Sequence, residues 1–360
     1  MTGGRVLLAA GAAILTLFGV APARAQQDVP RREATLRPLG DFLARLEAVR
    51  SAPNPLTSDF DRARLRARPG IEAAWAGGRL AAGAGLLLSF AGDSNEDNLI
   101  RQDNFLSDEV ELDRAYLRLS GRTTAYSVTA GLFDVPVQGT EILWDRDLRF
   151  LGGAGAVELP SGAFSAQRVV AGVSTGSQNR EDESLAATAR WEAETGPFSF
   201  GAGYWHFGET GALVRAGYAR TNRLAPGGLD YLSDFDIVHV IAGWELLGKR
   251  RPLRVRLELL HNAGADDERN GGELRLDWGE IQDAGSWRLR LTFQRVEQDA
   301  ALAAFGGDEW WFRTQQRGAR ASMAFGLGRR AFLELSALRQ RRDDLDEWLD
   351  RGFIDLVVPF

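Results

Sequence analysis

Apolar and charged residues alternate along most of this chain. In segment 61–75, Arg62, Arg64, Arg66 and Arg68 take every second position, and Ala63, Leu65, Ala67 and Pro69 take the others. Successive side chains of a strand point to opposite faces, so the segment predicts a strand with one charged face and one apolar face. The pattern recurs at 252–263, with Arg254, Arg256 and Glu258 against Leu253, Val255, Leu257 and Leu259. It recurs at 271–280, with Glu273, Arg275 and Asp277 against Leu274, Leu276 and Trp278, and at 286–298, with Arg288, Arg290, Thr292 and Gln294 against Trp287, Leu289, Leu291 and Phe293. The final segment, 347–360, places Ile354, Leu356, Val358 and Phe360 on one face and Arg351 and Asp355 on the other.

The whole chain reads as sixteen such strands: 40–49, 61–75, 79–91, 108–120, 125–136, 163–175, 183–194, 197–207, 210–221, 235–247, 252–263, 271–280, 286–298, 311–325, 329–341 and 347–360. Residues 36–50 also fit an amphipathic helix; strand is preferred because two ends on the same side require an even count. Short turns fall at Gly77-Gly78, 121–124, 248–251 and 326–328, and longer polar segments near 92–107, 137–162, 222–234 and 299–310. Short turns alternating with long loops predict an all-β transmembrane antiparallel barrel, with periplasmic turns and extracellular loops. Strands crossing hydrocarbon must close on themselves, because no backbone N–H or C=O can be left unpaired there. A soluble β-sandwich array also explains the alternation, but not the loop asymmetry.

Composition agrees. No stretch after residue 25 is long and apolar enough for a spanning helix. The chain has no Cys, which excludes disulfides and thiolate metal sites. Residues 1–25 carry Arg5, an apolar run from Val6 to Val20 and the small-residue ending Ala23 to Ala25, as a secretory leader does. The expected organisation is a leader at 1–25, a periplasmic lead-in at 26–39 and a barrel at 40–360. Export, a barrel and a terminal aromatic at Phe360 together predict the Gram-negative outer membrane. Trp and Phe near strand ends, namely Trp205, Phe207, Trp244, Trp278, Trp287, Trp310, Trp311 and Phe360, are expected in the aromatic girdles.

Arginines on the lipid face would cost roughly 2–4 kcal/mol each near the midplane, so the charged face must look inward. The expected lining comprises Arg62, Arg64, Arg66, Arg68, Arg114, Arg118, Arg254, Arg256, Glu258, Arg288 and Arg290. So many inner charges call for water, and sixteen strands make a ring too wide for side chains alone to fill. The competing account is an internal ladder of ion pairs with a plug. The third outward loop, 137–162, mixes Ile142, Leu143, Trp144, Leu148 and Phe150 with Glu141, Asp145, Arg146, Asp147 and Arg149. A loop lying in water needs no such apolar content, so this one is expected to fold inward and form the constriction. Alternatively, Asp145 and Asp147 cap a short helix within the loop and pair locally.

Several motifs resemble the putative porin family of proteobacterial outer membranes. They are LDRAYL at 112–117, AGLFDVP at 130–136, LWDRDL at 143–148, Gly152-Gly153, RARLRAR at 62–68, Gly77-Gly78 and the Gly83 to Gly85 stretch. The resemblance covers about 60–155. It implies a sixteen-stranded barrel for passive diffusion, usually trimeric, with the third loop narrowing the pore. By that analogy Asp145, Asp147 and Glu141 would face wall arginines such as Arg62, Arg64, Arg66, Arg114 and Arg118. A looser likeness to phosphate-selective porins meets an obstacle, since those use lysine and Lys249 stands alone here.

His206, His239 and His261 have no metal-ligand spacing, and no nucleophile motif accompanies them. Neither an enzyme, a cofactor nor nucleic-acid binding is expected. The sequence therefore predicts a channel for small hydrophilic solutes and ions, assembled through its last strand by the barrel assembly machinery and embedded in outer-membrane lipid; the family resemblance implies a homotrimer. Alternatives are an anion- or phosphate-like channel with an arginine track, and a structural or adhesive barrel.

Overall fold

The computed structural model describes residues 34–51, 59–92, 109–121, 126–137, 141–175, 184–247, 251–328 and 331–360. The expected leader, the first part of the lead-in, and most of the connection near 92–107 and of the turns at 121–124 and 248–251 lie outside the described residues.

The strand segments in order are β1 (Thr35–Leu39), β2 (Asp41–Arg50), β3 (Phe60–Ala67), β4 (Gly70–Trp75), β5 (Leu80–Ala91), β6 (Glu109–Ser120), β7 (Tyr126–Asp134), β8 (Arg149–Glu158) and β9 (Ala166–Ser174). They continue with β10 (Leu185–Thr195), β11 (Phe198–Gly208), a short helix α1 (Gly211–Arg215), β12 (Phe235–Glu245), β13 (Leu253–Asn262), β14 (Asn270–Gly279), β15 (Trp287–Val296), β16 (Gln316–Gly328), β17 (Ala331–Arg342) and β18 (Leu349–Pro359). Neighbours in sequence pair antiparallel, and β18 returns to β2 with Phe353 opposite Glu47, which closes the ring.

Two strands are interrupted. Gly40, at φ +130°, separates β1 from β2. Pro69, with no N–H to give a ladder, separates β3 from β4. β1 pairs with β4, β2 with β3, and β5 with both β3 and β4. The Arg68 N–H donates to the Asp41 carbonyl at 2.8 Å and the Leu86 N–H to the Pro69 carbonyl at 2.9 Å, so the ladder continues across both breaks. The eighteen segments are therefore sixteen strands of one closed barrel. The first strand is β rather than helix and begins at Thr35, within the expected lead-in.

Two expected elements differ. Residues 149–158 form β8, not the end of a loop. The Gly and Ala there allow close approach: a Cβ on Gly152 would lie 2.0 Å from the Val173 carbonyl oxygen of β9. Residues 210–221 hold α1 and a turn, not a strand. Leu213 and Val214 are buried under the loops instead of facing outward. One strand gained and one lost leave the count at sixteen.

The outer face is apolar and exposed, as at Leu65, Leu117, Val240, Leu259, Phe293 and Ile354. Such a surface is at home in hydrocarbon. The interior is divided. Toward the loop end, Phe150, Val170, Trp205, Phe207, Phe235 and Ile237 on the inner wall form one apolar cluster with residues of the loops at 135–148, 209–234 and 297–315. The wall made by β2, β3 and β16 to β18 is charged.

Candidate functional site

The charged wall starts from β3 and the residue that follows it: Arg62, Arg64 and Arg66 of the strand and Arg68 just after it are all buried. Arg62 donates to Glu47 at 2.6 Å, and Glu47 also accepts from Arg351 at 2.7 Å. Arg45 holds Asp355 with two hydrogen bonds, at 2.8 and 2.9 Å. The phenyl ring of Phe353 lies between Arg45 and Arg351, whose guanidinium carbons are 4.5 and 4.7 Å from its centroid.

An irregularity in β6 enriches this wall. The register slips between Gly85 and Leu86, leaving Asp113 without an opposite partner. The bulge turns two consecutive residues inward, Asp113 and Arg114. Asp113 then sits within 2.9 Å of Arg149 and 3.3 Å of both Arg68 and Arg114. Arg149 is the first residue of β8, so it belongs to the wall and not to the loop tip.

The described part of the third loop, 135–137 and 141–148, folds inward. Trp144 stacks on Phe305 with centroids 4.7 Å apart and on Trp205 at 5.6 Å, while its indole N–H donates to the Leu148 carbonyl at 3.1 Å. Asp147 reaches the wall, accepting from Arg66 at 2.5 Å and Arg68 at 3.1 Å. Burial pushes its carboxyl up, but Arg66, Arg68, Arg146 and Arg149 outweigh that and hold it well below the usual range. Asp145 accepts the N–H of Asp147 at 2.8 Å within its own loop and that of Asp308, from the loop at 297–315, at 3.1 Å. Burial, then the nearby Asp308 and Asp147 charges, push its carboxyl well up. Glu141 lines the lumen, and its carbonyl accepts the Gly307 N–H at 2.7 Å.

A second inward loop, 297–315, was not expected. Its residues Ala300 to Phe305 are buried in the apolar cluster, and Trp311 and Phe312 pack on Val49 and Leu349. Glu309 accepts from Arg146 of the third loop and lies 3.6 Å from both Arg45 and Arg320. Burial alone would raise its carboxyl; Arg146, Arg320 and Arg45 bring it down to about 2. Arg351 donates to the carbonyls of Asp308 and Glu309 at 2.5 and 3.1 Å. Its run AALAAF followed by WWF carries the same apolar signal that marks the third loop.

Between the loops and the wall lies a cavity of about 350 Å³, lined in part by Arg66, Arg68, Arg114, Arg288, Arg290 and Glu141. Arg288 pairs with Glu334 at 2.8 Å and Arg290 with Asp277 at 2.6 Å. Arg256 lies 3.8 Å from Glu258. Arg118 donates to Glu72 at 2.9 Å, farther round the barrel. Arg254 stands at the turn-side rim, exposed, with Glu245 at 2.9 Å and Glu280 at 3.2 Å.

Of the expected girdle, Trp244, Trp278, Trp287 and Phe360 sit near the turn-side ends of their strands. Trp278 meets Trp287 edge to face at 5.1 Å, and Trp244 stacks on Phe198 at 5.7 Å. Trp205 does not belong there. It is buried inside the barrel against Trp144, and Phe207, Trp310 and Trp311 are also internal. Among the described residues no group of three or more His, Cys, Asp or Glu could hold a metal.

Residues 43–176 match the family model described as "Putative porin". No curated protein matches the chain. Among solved structures, a triple variant of the Rhodopseudomonas blastica porin aligns with a TM-score of 0.52 at 13% identity, covering 91% of this chain and 100% of that one. A second variant of the same porin aligns at 0.53 and 13%, with the same coverage. At such identity the likeness is one of fold. The likeness to the putative porin family thus covers residues 43–176, and the barrel around it has the fold of the solved outer-membrane porins.

Proposed function

We propose that the barrel is a channel for passive diffusion of small hydrophilic solutes and ions across the outer membrane. The observation that carries this reading is the cavity of about 350 Å³ inside a closed barrel, bounded by a charged wall and narrowed by two inward loops. Guanidinium and carboxylate groups on a cavity wall favour water there, because an unhydrated lumen would leave part of their charge unsatisfied. Facing charges across a constriction orient polar solutes and bias ion passage. Asp147 and Glu141 on the loop and Arg66, Arg68, Arg114, Arg288 and Arg290 on the wall are the residues assigned to it. Arg62 and Arg64 act behind them in the wall. Asp145 and Arg149 hold the constriction in shape, and Arg146 joins its two loops.

The turns would face the periplasm, the loops the exterior, and β18 the assembly machinery during insertion. A homotrimer is the oligomer the family resemblance implies. A groove on the outer face, lined by Ala48, Leu291, Ala319, Ala321, Ala337 and Gly352, supports it, because small side chains let a second barrel approach closely.

The apolar cluster under the loops favours a second reading, a plugged barrel that conducts nothing. Liposome swelling separates the two. Liposomes carrying the refolded protein should swell in small sugars, at rates that fall with sugar size. Liposomes that hold folded barrel and do not swell would favour the plug.

A further inference from the structure

The lumen wall formed by β13, β14 and β15 is layered by charge. In the register of β13 with β14, Arg256 stands directly opposite Arg275, and Glu258 directly opposite Glu273. Like charges placed opposite each other on a strand pair are destabilising. Each arginine is instead balanced along its own strand, Arg275 by Glu273 at 2.8 Å and Arg256 by Glu258 at 3.8 Å. Exchanging one arginine with its neighbouring glutamate would give cross-strand pairs of opposite sign and a quieter wall. The layering therefore calls for a purpose other than stability.

What a solute meets is the arginine layer. Glu258 and Glu273 are buried, at 2% and 5% exposure, and line neither lumen cavity. Arg275 and Arg290 line both the constriction cavity and a wider one of about 530 Å³ at the turn end, where Arg254 and Arg256 join them. Glu194, Glu245 and Asp277 line the wider cavity too, with Glu245 held by Arg254 and Asp277 by Arg290, so on the path from the turn-side mouth Arg256 and Arg275 are the guanidinium groups whose paired glutamates lie behind the cavity wall. At the constriction the imbalance persists, with nine arginines and six carboxylates on the cavity wall. There Asp147 is shared by Arg66 and Arg68, and Asp134 by Arg114 and Arg149. Asp113, which does not line the cavity, also holds Arg68, Arg114 and Arg149, and Asp41 lies 3.4 Å from Arg66, so the excess of guanidinium is one of the groups that face the cavity.

We propose that this face is an oxoanion track, with Arg256 and Arg275 as its entry site, so that the channel prefers anions and retains small carboxylates or phosphate more than chloride. The inference rests on the channel reading above. Guanidinium presents a planar fork that matches a carboxylate or phosphate edge with two hydrogen bonds, whereas chloride can use only the charge. Fixed positive charge in a narrow lumen raises the local anion concentration and excludes cations within about a Debye length.

The test is the reversal potential of the refolded full chain in planar bilayers across a KCl gradient, followed by addition of malonate or inorganic phosphate. We expect anions to permeate at least about twofold better than potassium, from the concentrating effect of the lumen charge. Malonate or phosphate should depress the chloride current in a saturating manner, and whichever acts at the lower concentration identifies the oxoanion favoured. R256Q/R275Q should lose most of the preference and the depression. R256K/R275K should keep the preference and lose the depression, since it keeps charge without the fork; heat-modifiable gel mobility reports that each variant is folded. Conducting but cation-selective or unselective steps would overturn the track and leave the channel standing. Selectivity unchanged in folded R256Q/R275Q, or a chloride current indifferent to both oxoanions, would overturn the entry site. Folded protein without any steps would instead overturn the channel reading.

Discussion

The indole of Trp144 lies parallel to the ring of Phe305, with centroids 4.7 Å apart and planes 13° from one another. This contact joins the third loop to the seventh, 297–315, inside the barrel. The Arg146 to Glu309 ion pair and the Gly307 to Glu141 backbone bond cross the same seam. The constriction is therefore a bridge of two loops, each holding the other against the wall.

Trp144→Ala should loosen that bridge. Truncating a buried aromatic costs about 3–5 kcal/mol. The backbone ladder of the barrel does not depend on Trp144, so the protein should still insert. Single-channel current should be larger and noisier than in the wild type; an unchanged current would mean that the bridge does not limit the pore.

Glu309→Gln removes the carboxylate that Arg45, Arg146 and Arg320 share. Breaking a buried ion pair by neutralising one partner costs on the order of 3–5 kcal/mol, because the other charges stay buried. The seventh loop should detach, read as faster cleavage by an added protease within 297–315, while Glu245→Gln at the exposed rim should leave cleavage unchanged.

The bridge should also resist acid. Its arginines hold the Glu309 carboxyl down to about 2, below its ordinary 4.5, so its stabilisation is complete above 4.5, declines as pH falls below that and is gone once pH has fallen through about 2. Asp147 is shifted in the same direction. Asp145 is shifted upward, so its contribution is full when protonated and is lost as pH rises through its raised value. Acidification thus relieves Asp145 before it discharges Glu309. Conductance per channel should stay steady from neutral pH to about 3 and change only below that. A transition near ordinary carboxylate values would show that Glu309 is not held by its arginines.

The positions of the tryptophans can be checked directly. In single-tryptophan proteins reconstituted with brominated lipid, Trp244 should be quenched and Trp205 should not. Equal quenching of both would return Trp205 to the lipid face.

The charged faces of β3, β13, β14 and β15 were legible in the sequence because arginine and leucine differ so sharply in cost of transfer. The inward third loop was legible from Trp144 and Leu148 among charges. β8 was missed because its run of Gly152, Gly153, Ala154, Gly155 and Ala156 has no contrast between faces. In β11 both faces are apolar: Phe198 and Phe200 point out, while Trp205 and Phe207 point in. Alternation alone could not tell a girdle from a core there. The segment 210–221 has a strand-like length, but Leu213 and Val214 are adjacent and both buried, as a turn of helix allows. The seventh loop carried the same signal as the third and could have been read by the same argument. What no local pattern supplies is the partner of each charge, since Asp113 meets Arg149 only through a bulge and Glu309 meets Arg45 only across the barrel.

Closure of the barrel near its ends depends on Gly40. Its φ of +130° is a conformation that L side chains avoid, and an added Cβ would lie 1.6 Å from the Arg68 carbonyl oxygen. Its own carbonyl accepts the N–H of Phe360 at 3.0 Å. Gly40→Ala should cost at least about 1–3 kcal/mol in backbone strain alone. A lower urea midpoint for unfolding from detergent would bear this out, and an unchanged midpoint would show that the break between β1 and β2 is dispensable.

The central claim is that water and small solutes pass through the lumen beside the bridge. Single-channel recording of the refolded wild type in molar KCl tests it most directly. Discrete ohmic steps that enlarge in Trp144→Ala are the predicted result. A silent bilayer containing barrel shown to be folded and inserted would contradict it, and the two loops would then be a plug rather than a constriction.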